Sequence, residues 1–216
     1  MKVLITGTST GIGRETARFF LSQGHSVLGI DILPSTIEHP AYTHHVADVR
    51  LPLPKVSDIE ILICAAGVQL PDEDTIDVNL RGTINTIETY AFQPAIKALV
   101  TVASASATNG SEFPMYSASK GGVVTYTKNA ALRLAKYGAT ANSISPGGVL
   151  TASNATVTDD PMLFQAALNE SLLGKWASET EIAQWIYFIS VVNRSMTGQD
   201  IVVDNGEMLK SNFIWK

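Results

Sequence analysis

The 216-residue sequence is 45% hydrophobic and 16% charged, long enough to bury one full core, and reads as a single domain over 1–216. Its net charge of −5 and pI of about 5.3 argue against nucleic acid or an anionic membrane surface as partner. A lone cysteine, Cys64, excludes an internal disulfide, the N-terminal apolar run is too short for a secretory signal, and nothing nears the ~20 apolar residues of a membrane span, so a cytoplasmic protein is expected.

KVLIT, residues 2–6, is apolar, rich in β-branched residues and stopped by glycine, as a buried parallel strand is. Ala17, Phe20 and Leu21 share one face of a helix predicted over 11–24, with Gly24 as its stop. A second strand is predicted over 25–31. Residues 32–41 then carry Pro34 and Pro40, which leaves no room for a crossover helix. A third strand follows over 42–46. Pro52 and Pro54 make any helix before the next strand, 59–64, short or irregular. A helix over 75–92, a strand over 98–104, a long helix over 116–138 and a strand over 140–145 come next. Residues 151–160 are small and polar, a candidate mobile loop leading into a short helix near 161–173. A helix over 180–191 and a strand over 199–204 end the pattern. Strands alternating with helices predict an α/β fold of Rossmann type, a doubly wound parallel sheet of about seven strands.

TGTSTGIG, residues 6–13, lies between the first strand and the first helix. Gly7 suits a tight turn, Gly11 a close ligand approach and Gly13 close helix–strand packing. The positive end of the helix there favours a pyrophosphate. The spacing is G-x-x-x-G-x-G, so the G-x-G-x-x-G fingerprint is not met, and no Walker lysine is present. Asp31 ends the second strand, where a carboxylate accepts the ribose hydroxyls of an adenosine and repels a 2′-phosphate. No arginine stands at Thr10 or Ile32 to receive one. NAD is therefore expected as cofactor, in preference to NADP.

MYSASK, residues 115–120, places Tyr116 and Lys120 on one helix face. One reading is structural: the tyrosine covers the core and the lysine reaches water. The other is chemical: a free tyrosine titrates near ~10, and a fixed cation beside it favours the phenolate.

These segments, with CAAG (64–67), VNLRG (78–82), Ser104, SPGGVLT (145–151) and TGQDIVVDNG (197–206), occur in the order and spacing of the short-chain dehydrogenase/reductase family, which the whole chain resembles. The resemblance implies an oxidoreductase that interconverts a secondary alcohol and a ketone through a Ser-Tyr-Lys-Asn site. Tyr116 would be the acid/base. Lys120 would assist it and hold the nicotinamide ribose, and Ser104 would hold the substrate oxygen. Asn79 would hold a water between the lysine and solvent. Ser106 is a rival to Ser104. Cofactor contacts are implied for Gly7, Ser9, Thr10, Gly11, Ile12 and Gly13, for Asp31, and for Tyr116 and Lys120 themselves. Asp48 and Val49 would lie beside the adenine, and Ala65, Ala66 and Gly67 along the adenosine ribose. Pro146, Gly147, Val149 and Thr151 would lie under the carboxamide, and 151–176 would be the substrate-loop segment.

Three features depart from the family pattern. Cys64 and Ala65 replace side chains that brace the sheet. Only twelve positions separate Gly67 from Asn79, which leaves one pocket wall open. The clipped crossovers resemble a compact bacterial subset that includes 3α-hydroxysteroid dehydrogenase/carbonyl reductases. Steroids, bile acids, sugar alcohols and small ketones all remain candidate substrates. A 3-oxoacyl reductase is disfavoured, because those usually take NADPH.

His25, His39, His44 and His45 are not expected to form a metal site, since adjacent strand residues point to opposite faces. Trp176, Trp185 and Trp215 read as core or subunit-contact aromatics, with Trp176 best placed to touch substrate. Arg14 reads as solvent-facing and Cys64 as an inert buried residue. The terminal NFIWK suggests an oligomer contact, and the family usually forms homodimers or homotetramers through the helices at 75–92 and 116–137. A non-catalytic NAD(H)-sensing protein is the competing function. It would not need the full Ser-Tyr-Lys-Asn set.

Overall fold

The apolar run at the N-terminus forms β1 (Lys2–Thr6), which lies inside a seven-stranded sheet. The computed structural model describes residues 1–69, 74–111 and 113–209. β1 is followed by α1 (Gly11–Ser22), β2 (Ser26–Asp31), β3 (Tyr42–Val46) and β4 (Ile61–Cys64). A π-helical stretch, Ile76–Gly82, runs into α2 (Thr83–Tyr90). β5 (Ala98–Val102), α3 (Ser106–Asn109), α4 (Pro114–Leu134) and β6 (Thr140–Pro146) follow. After β7 (Val149–Leu150) come α5 (Ala155–Thr158), α6 (Pro161–Leu168), β8 (Ala177–Ser178), α7 (Glu179–Tyr187) and β9 (Asp200–Val203).

The main sheet has the order β3-β2-β1-β4-β5-β6-β9, and every neighbouring pair is parallel. The central strands β1 and β4 are almost wholly apolar because both faces are covered. Val3 and Ile5 of β1, with Ile61 and Ile63 of β4, meet Phe20 of α1 and Ile186 of α7 in one core. Leu4 and Leu62, between them in sequence, turn the other way to meet Ile87 of α2 and Leu134 of α4. The period of two along each strand thus divides one apolar run between two cores.

Residues 32–41 carry no helix, as their prolines dictate. The loop is instead held against the glycine turn. Ser9 Oγ donates to the carbonyls of Leu33 and Pro34 at 3.1 and 3.0 Å, and Thr36 Oγ1 donates to Ser9 O at 3.1 Å. The segment before β4 lacks a helix altogether. It is fixed by Tyr90 Oη donating to Pro54 O at 2.6 Å and Asn85 Nδ2 to Leu51 O at 2.9 Å.

Three local features differ from the sequence expectation. The helix expected over 75–92 begins with wider π turns that a 3.6-residue pattern does not reveal. Val49 packs against Gly82 there, and a Cβ at 82 would lie 2.5 Å from Val49 Cγ2. The expected loop over 151–160 contains a 3-10 turn, Ala152–Asn154, and α5. Asp160 then caps α6 by accepting from Met162 N and Leu163 N at 2.9 and 3.1 Å, with Pro161 in the first turn. Finally, β7 and β8 pair in parallel and close the base of the excursion 151–176. Strands of two residues are too short to show alternation.

His25 sits beside the rings of Phe20 and Tyr187, with Nδ1 3.3 Å from the N-terminal amine. Burial, then the N-terminal charge, holds its pKa below the ordinary 6.5, while Glu60 opposes them. The fold therefore favours the neutral ring. That stability is complete above about 6.5 and is lost as pH falls through the depressed folded value. Thermal melts from pH 7 to 5 are expected to show a steeper fall in Tm for the wild type than for His25→Asn. Parallel curves would remove this linkage.

Candidate active site

The strand order reverses between β1 and β4, and a crevice opens there at the carboxyl ends of the strands. A cavity of about 620 Å³ occupies it, within the size range of cofactor and ligand sites. Gly7 turns the chain at φ +79°, and a Cβ on it would lie 2.8 Å from the Ala66 backbone. A Cβ on Gly13 would lie 2.2 Å from Gly7 O, so α1 rests directly on the turn. No side chain caps the start of α1 and no acidic residue lies in its first turn. Its N–H groups and positive end therefore face the cavity uncompensated, with Thr10, Gly11 and Ile12 on the wall.

Of the loop residues expected to touch a cofactor, Ser9 alone is not on the cavity wall. Its N–H donates to Asp31 Oδ2 at 2.9 Å and its hydroxyl is engaged with the 33–34 carbonyls. Its side chain thus ties the glycine turn to the segment after β2. Asp31 Oδ1 accepts from Leu33 N at 2.9 Å, so the carboxylate at the mouth is held from both sides. Thr6 Oγ1, which sequence reasoning missed, accepts from Ala65 N and Ala66 N at 3.2 Å each. It braces the end of β4, where the family pattern is broken at Cys64. Ala65, Ala66 and Gly67 line the cavity.

Asp48 and Val49 lie on the wall near Asp31, together with Arg50, which sequence reasoning also missed. Arg50 Nη2 donates to Asp48 Oδ2 at 2.7 Å and Nε to Oδ1 at 3.1 Å. This hydrogen-bonded pairing holds the Asp48 carboxyl below the usual carboxylate range.

Ser104, Tyr116 and Lys120 all line the cavity. Ser104 follows β5, and its Oγ accepts from Ser106 N at 3.2 Å and Ser106 Oγ at 3.0 Å. Ser106 is buried behind it and is not on the wall. Tyr116 and Lys120 face each other one turn apart on α4, with the ammonium 5.6 Å from the ring centroid. Lys120 is only 7% exposed and donates to Val102 O at 2.9 Å. The structural reading, in which it reaches water, is therefore wrong, since lysine is rarely so buried without a partner or a task.

Asn79, on the π-helical stretch, is buried and does not line the cavity. Its Oδ1 accepts from Val68 N at 2.8 Å, and its Nδ2 donates to Val68 O at 2.8 Å and Ser119 Oγ at 3.1 Å. The side chain ties α4 to the segment after β4. A Cβ on Gly67 would lie 3.1 Å from Asn79 Oδ1 and 3.4 Å from Lys120 Nζ. The wall expected to open between Gly67 and Asn79 includes 70–73, which lie outside the described residues, as do Trp215 and the NFIWK terminus.

At the far end Pro146, Gly147, Val149 and Thr151 line the cavity, with Gly148, Asn154, Trp176, Glu170 and Glu207. Ala105 N donates to Pro146 O at 2.8 Å, which sets this wall beside Ser104. Trp185, by contrast, is 44% exposed and no core residue. Arg14 is turned inward, with Nε buried and Nη2 3.8 Å from Glu179.

The family model described as Enoyl-(Acyl carrier protein) reductase matches residues 69–207. Glucose 1-dehydrogenase of Gluconobacter oxydans is 28% identical, over 98% of this chain and 93% of that protein. A 3-oxoacyl-(acyl-carrier-protein) reductase of Thermotoga maritima is 29% identical, over 94% and 96%. The solved oxidoreductase of the short-chain dehydrogenase/reductase family from Burkholderia thailandensis superposes with a TM-score of 0.87 at 26% identity, over 97% and 93%. Other chains of this fold were solved with NADP or with NADH.

Proposed function

Since the chain belongs to the short-chain dehydrogenase/reductase family, we propose that it is an NAD(H)-dependent oxidoreductase that interconverts a secondary alcohol and a ketone. The observation that carries this reading is the convergence of Ser104, Tyr116 and a buried Lys120 on the cavity whose other wall is the glycine turn. The cradle fits a dinucleotide. Gly7 and Gly13 let the turn pack tightly against Ala66 and α1, Gly11 leaves the approach to that turn open, and an uncapped helix end favours the diphosphate. The bound nicotinamide supplies the hydride acceptor or donor.

The chain's own residues handle the oxygen and the proton. In oxidation, the alcohol carbon loses a hydride and its oxygen loses a proton to the Tyr116 phenolate. The two electrons of the C–H bond leave with the hydride, and those of the O–H bond close the carbonyl. Ser104 holds the oxygen with a hydrogen bond, oriented from behind by Ser106. The Lys120 charge favours the anionic form of the phenol. Asn79 acts as a positioning residue, by fixing Val68 and Ser119 around that lysine.

NAD is the proposed cofactor because Asp31 stands at the mouth of the cavity and the guanidinium of Arg50 is engaged by Asp48. A 2′-phosphate beside Asp31 would meet a like charge, which costs several kcal/mol. The expected result is a kcat/KM for NAD on the order of a hundredfold above that for NADP. Asp31→Ser should narrow the gap. Equal efficiency with both cofactors would remove the role of Asp31.

A panel of secondary alcohols and ketones, followed by NADH absorbance, tests the reaction itself. It includes a β-ketoacyl thioester, because one relative carries that activity in its name. Binding of NADH without turnover of any member would favour the sensing function. The proposal extends to 151–176 as the substrate segment and to a homodimer or homotetramer. Leu132 on α4, 78% exposed, suits such a contact. No described helix is long and apolar enough to cross a membrane.

A further inference from the structure

We infer that the substrate end of the cavity is shaped for a polyhydroxylated alcohol, recognised by the Trp176 indole and the Glu207 carboxylate. This rests on the oxidoreductase reading above and names the substrate class of the same site.

The wall is assembled from separate segments of the chain. Trp176 lies against Gly148 so closely that a Cβ there would sit 2.2 Å from its Nε1. Phe164 supports the indole edge-on, with ring centroids 5.5 Å apart. An aromatic ring fixed in this way offers a flat apolar surface to the C–H face of a ligand.

Glu207 reaches the same wall from the turn after β9. A Cβ on Gly147 would lie 2.6 Å from its Oε2, so the missing side chain at 147 makes room for the carboxylate. Its hydrogen bond in the structure is a long one, from Gly148 N at 3.3 Å. Among the described residues, the charged groups that act on it are the acidic Asp204 and Glu170. Burial, with these two carboxylates, raises its pKa, and the Gly148 N–H opposes the rise. Asn154 stands on the same wall with its Nδ2 already donating to Val149 O at 2.8 Å.

The wall therefore offers hydrogen-bond acceptors beside an apolar plate. Hydroxyl groups supply the donors that a carboxylate requires. A wholly apolar alcohol would desolvate Glu207 and give nothing in return, which is costly. An anionic substituent would meet the carboxylates of Glu170 and Glu207 on that wall. A polyol, with C–H bonds on its face and O–H groups at its edge, satisfies both parts.

The test uses the purified full-length chain with NAD. Initial rates are measured for ribitol, xylitol and D-glucose, and for cyclohexanol as the apolar control. At least one of the polyhydroxylated compounds should exceed cyclohexanol in kcat/KM. Glu207→Gln should lower the polyol-to-cyclohexanol ratio of kcat/KM by about tenfold, the size expected for losing a charged hydrogen bond. Trp176→Leu should lower it severalfold, by about 0.5–1.5 kcal/mol of lost aromatic contact. In the NADH complex, the preferred polyol should also change tryptophan fluorescence in the wild type and not in Trp176→Phe. If cyclohexanol is oxidised better than all three, or neither variant moves the ratio, the recognition inference is wrong and the oxidoreductase reading stands. If no member of the wider alcohol and ketone panel is turned over, the reading itself has failed and this inference with it.

Discussion

Tyr116→Phe is expected to lower kcat by about 10²–10⁴, the range for a positioned acid or base, while NADH binding persists. The phenylalanine keeps the ring that packs on α4 and loses only the proton carrier. Lys120 would still donate to Val102 O, and Ser104 would still accept from Ser106. The cavity should therefore keep its shape and its hold on the cofactor. Steady-state rates on a matched alcohol give the first quantity, and titration of NADH fluorescence gives the second. Turnover within about twofold of the wild type, far short of that range, would take the phenol out of the proton transfer. Loss of NADH binding instead would assign Tyr116 to the cofactor cradle alone.

Gly13→Ala is expected to cost about 1–3 kcal/mol of stability, as overpacking does, and to weaken NAD(H) binding by tenfold or more, roughly 1.4 kcal/mol. The new methyl would stand 2.2 Å from Gly7 O and 3.1 Å from Thr6 O. Both atoms are backbone, at the last residue of β1 and in the turn directly after it, so the start of α1 must move away. That movement withdraws the N–H groups from the diphosphate. At Gly11, where the nearest atom to a Cβ is 4.0 Å away, the cost comes from φ +57° and not from contact. Melting curves and NADH titration of the Gly13 variant check both parts. An unchanged Tm with unchanged affinity would mean that α1 and the turn are not in the packed relation described.

Much of the fold was legible because its signals are local. The prolines at 34, 40, 52 and 54 forbid crossover helices by their own chemistry, and both segments lack them. Most of the main strands could be read from a run of apolar residues, because parallel strands covered on both faces need no polar alternation, whereas β3 at the sheet edge and β6 are largely polar. The capping box at the start of α7 was open to the same kind of reading. Ser178 accepts from Glu181 N, and Glu181 Oε2 accepts from Ser178 N at 2.8 Å. The π turns around Asn79 were not legible, since a local pattern cannot distinguish a helix widened by what packs against it. The helical turns within 151–160 were hidden by small polar residues that usually mark a loop.

Among the site residues, chemistry was easier to read than direction. Ser104 and Ser106 are equivalent as neighbours in the sequence, and only the path of the chain after β5 puts one on the cavity and the other behind it. Ser9 and Asn79 were chosen for the right region, but their side chains face backbone carbonyls and amides. Arg50 and Glu207 carried no motif at all, and Thr6 opens the glycine motif without a role that its position would show. Their places follow from what β3, β9 and β1 bring to the edge of the crevice.

By itself the sequence determined the order of strands and helices, the glycine turn and the one-turn spacing of Tyr116 and Lys120. Those properties are set by dihedral preference and periodicity over a few residues. Tertiary structure decided that Lys120 is buried beside Val102, that Ser106 stands behind Ser104, and that an indole and a carboxylate from distant segments share one wall. Burial and convergence depend on which elements cover each other, and no window of a few residues contains that information.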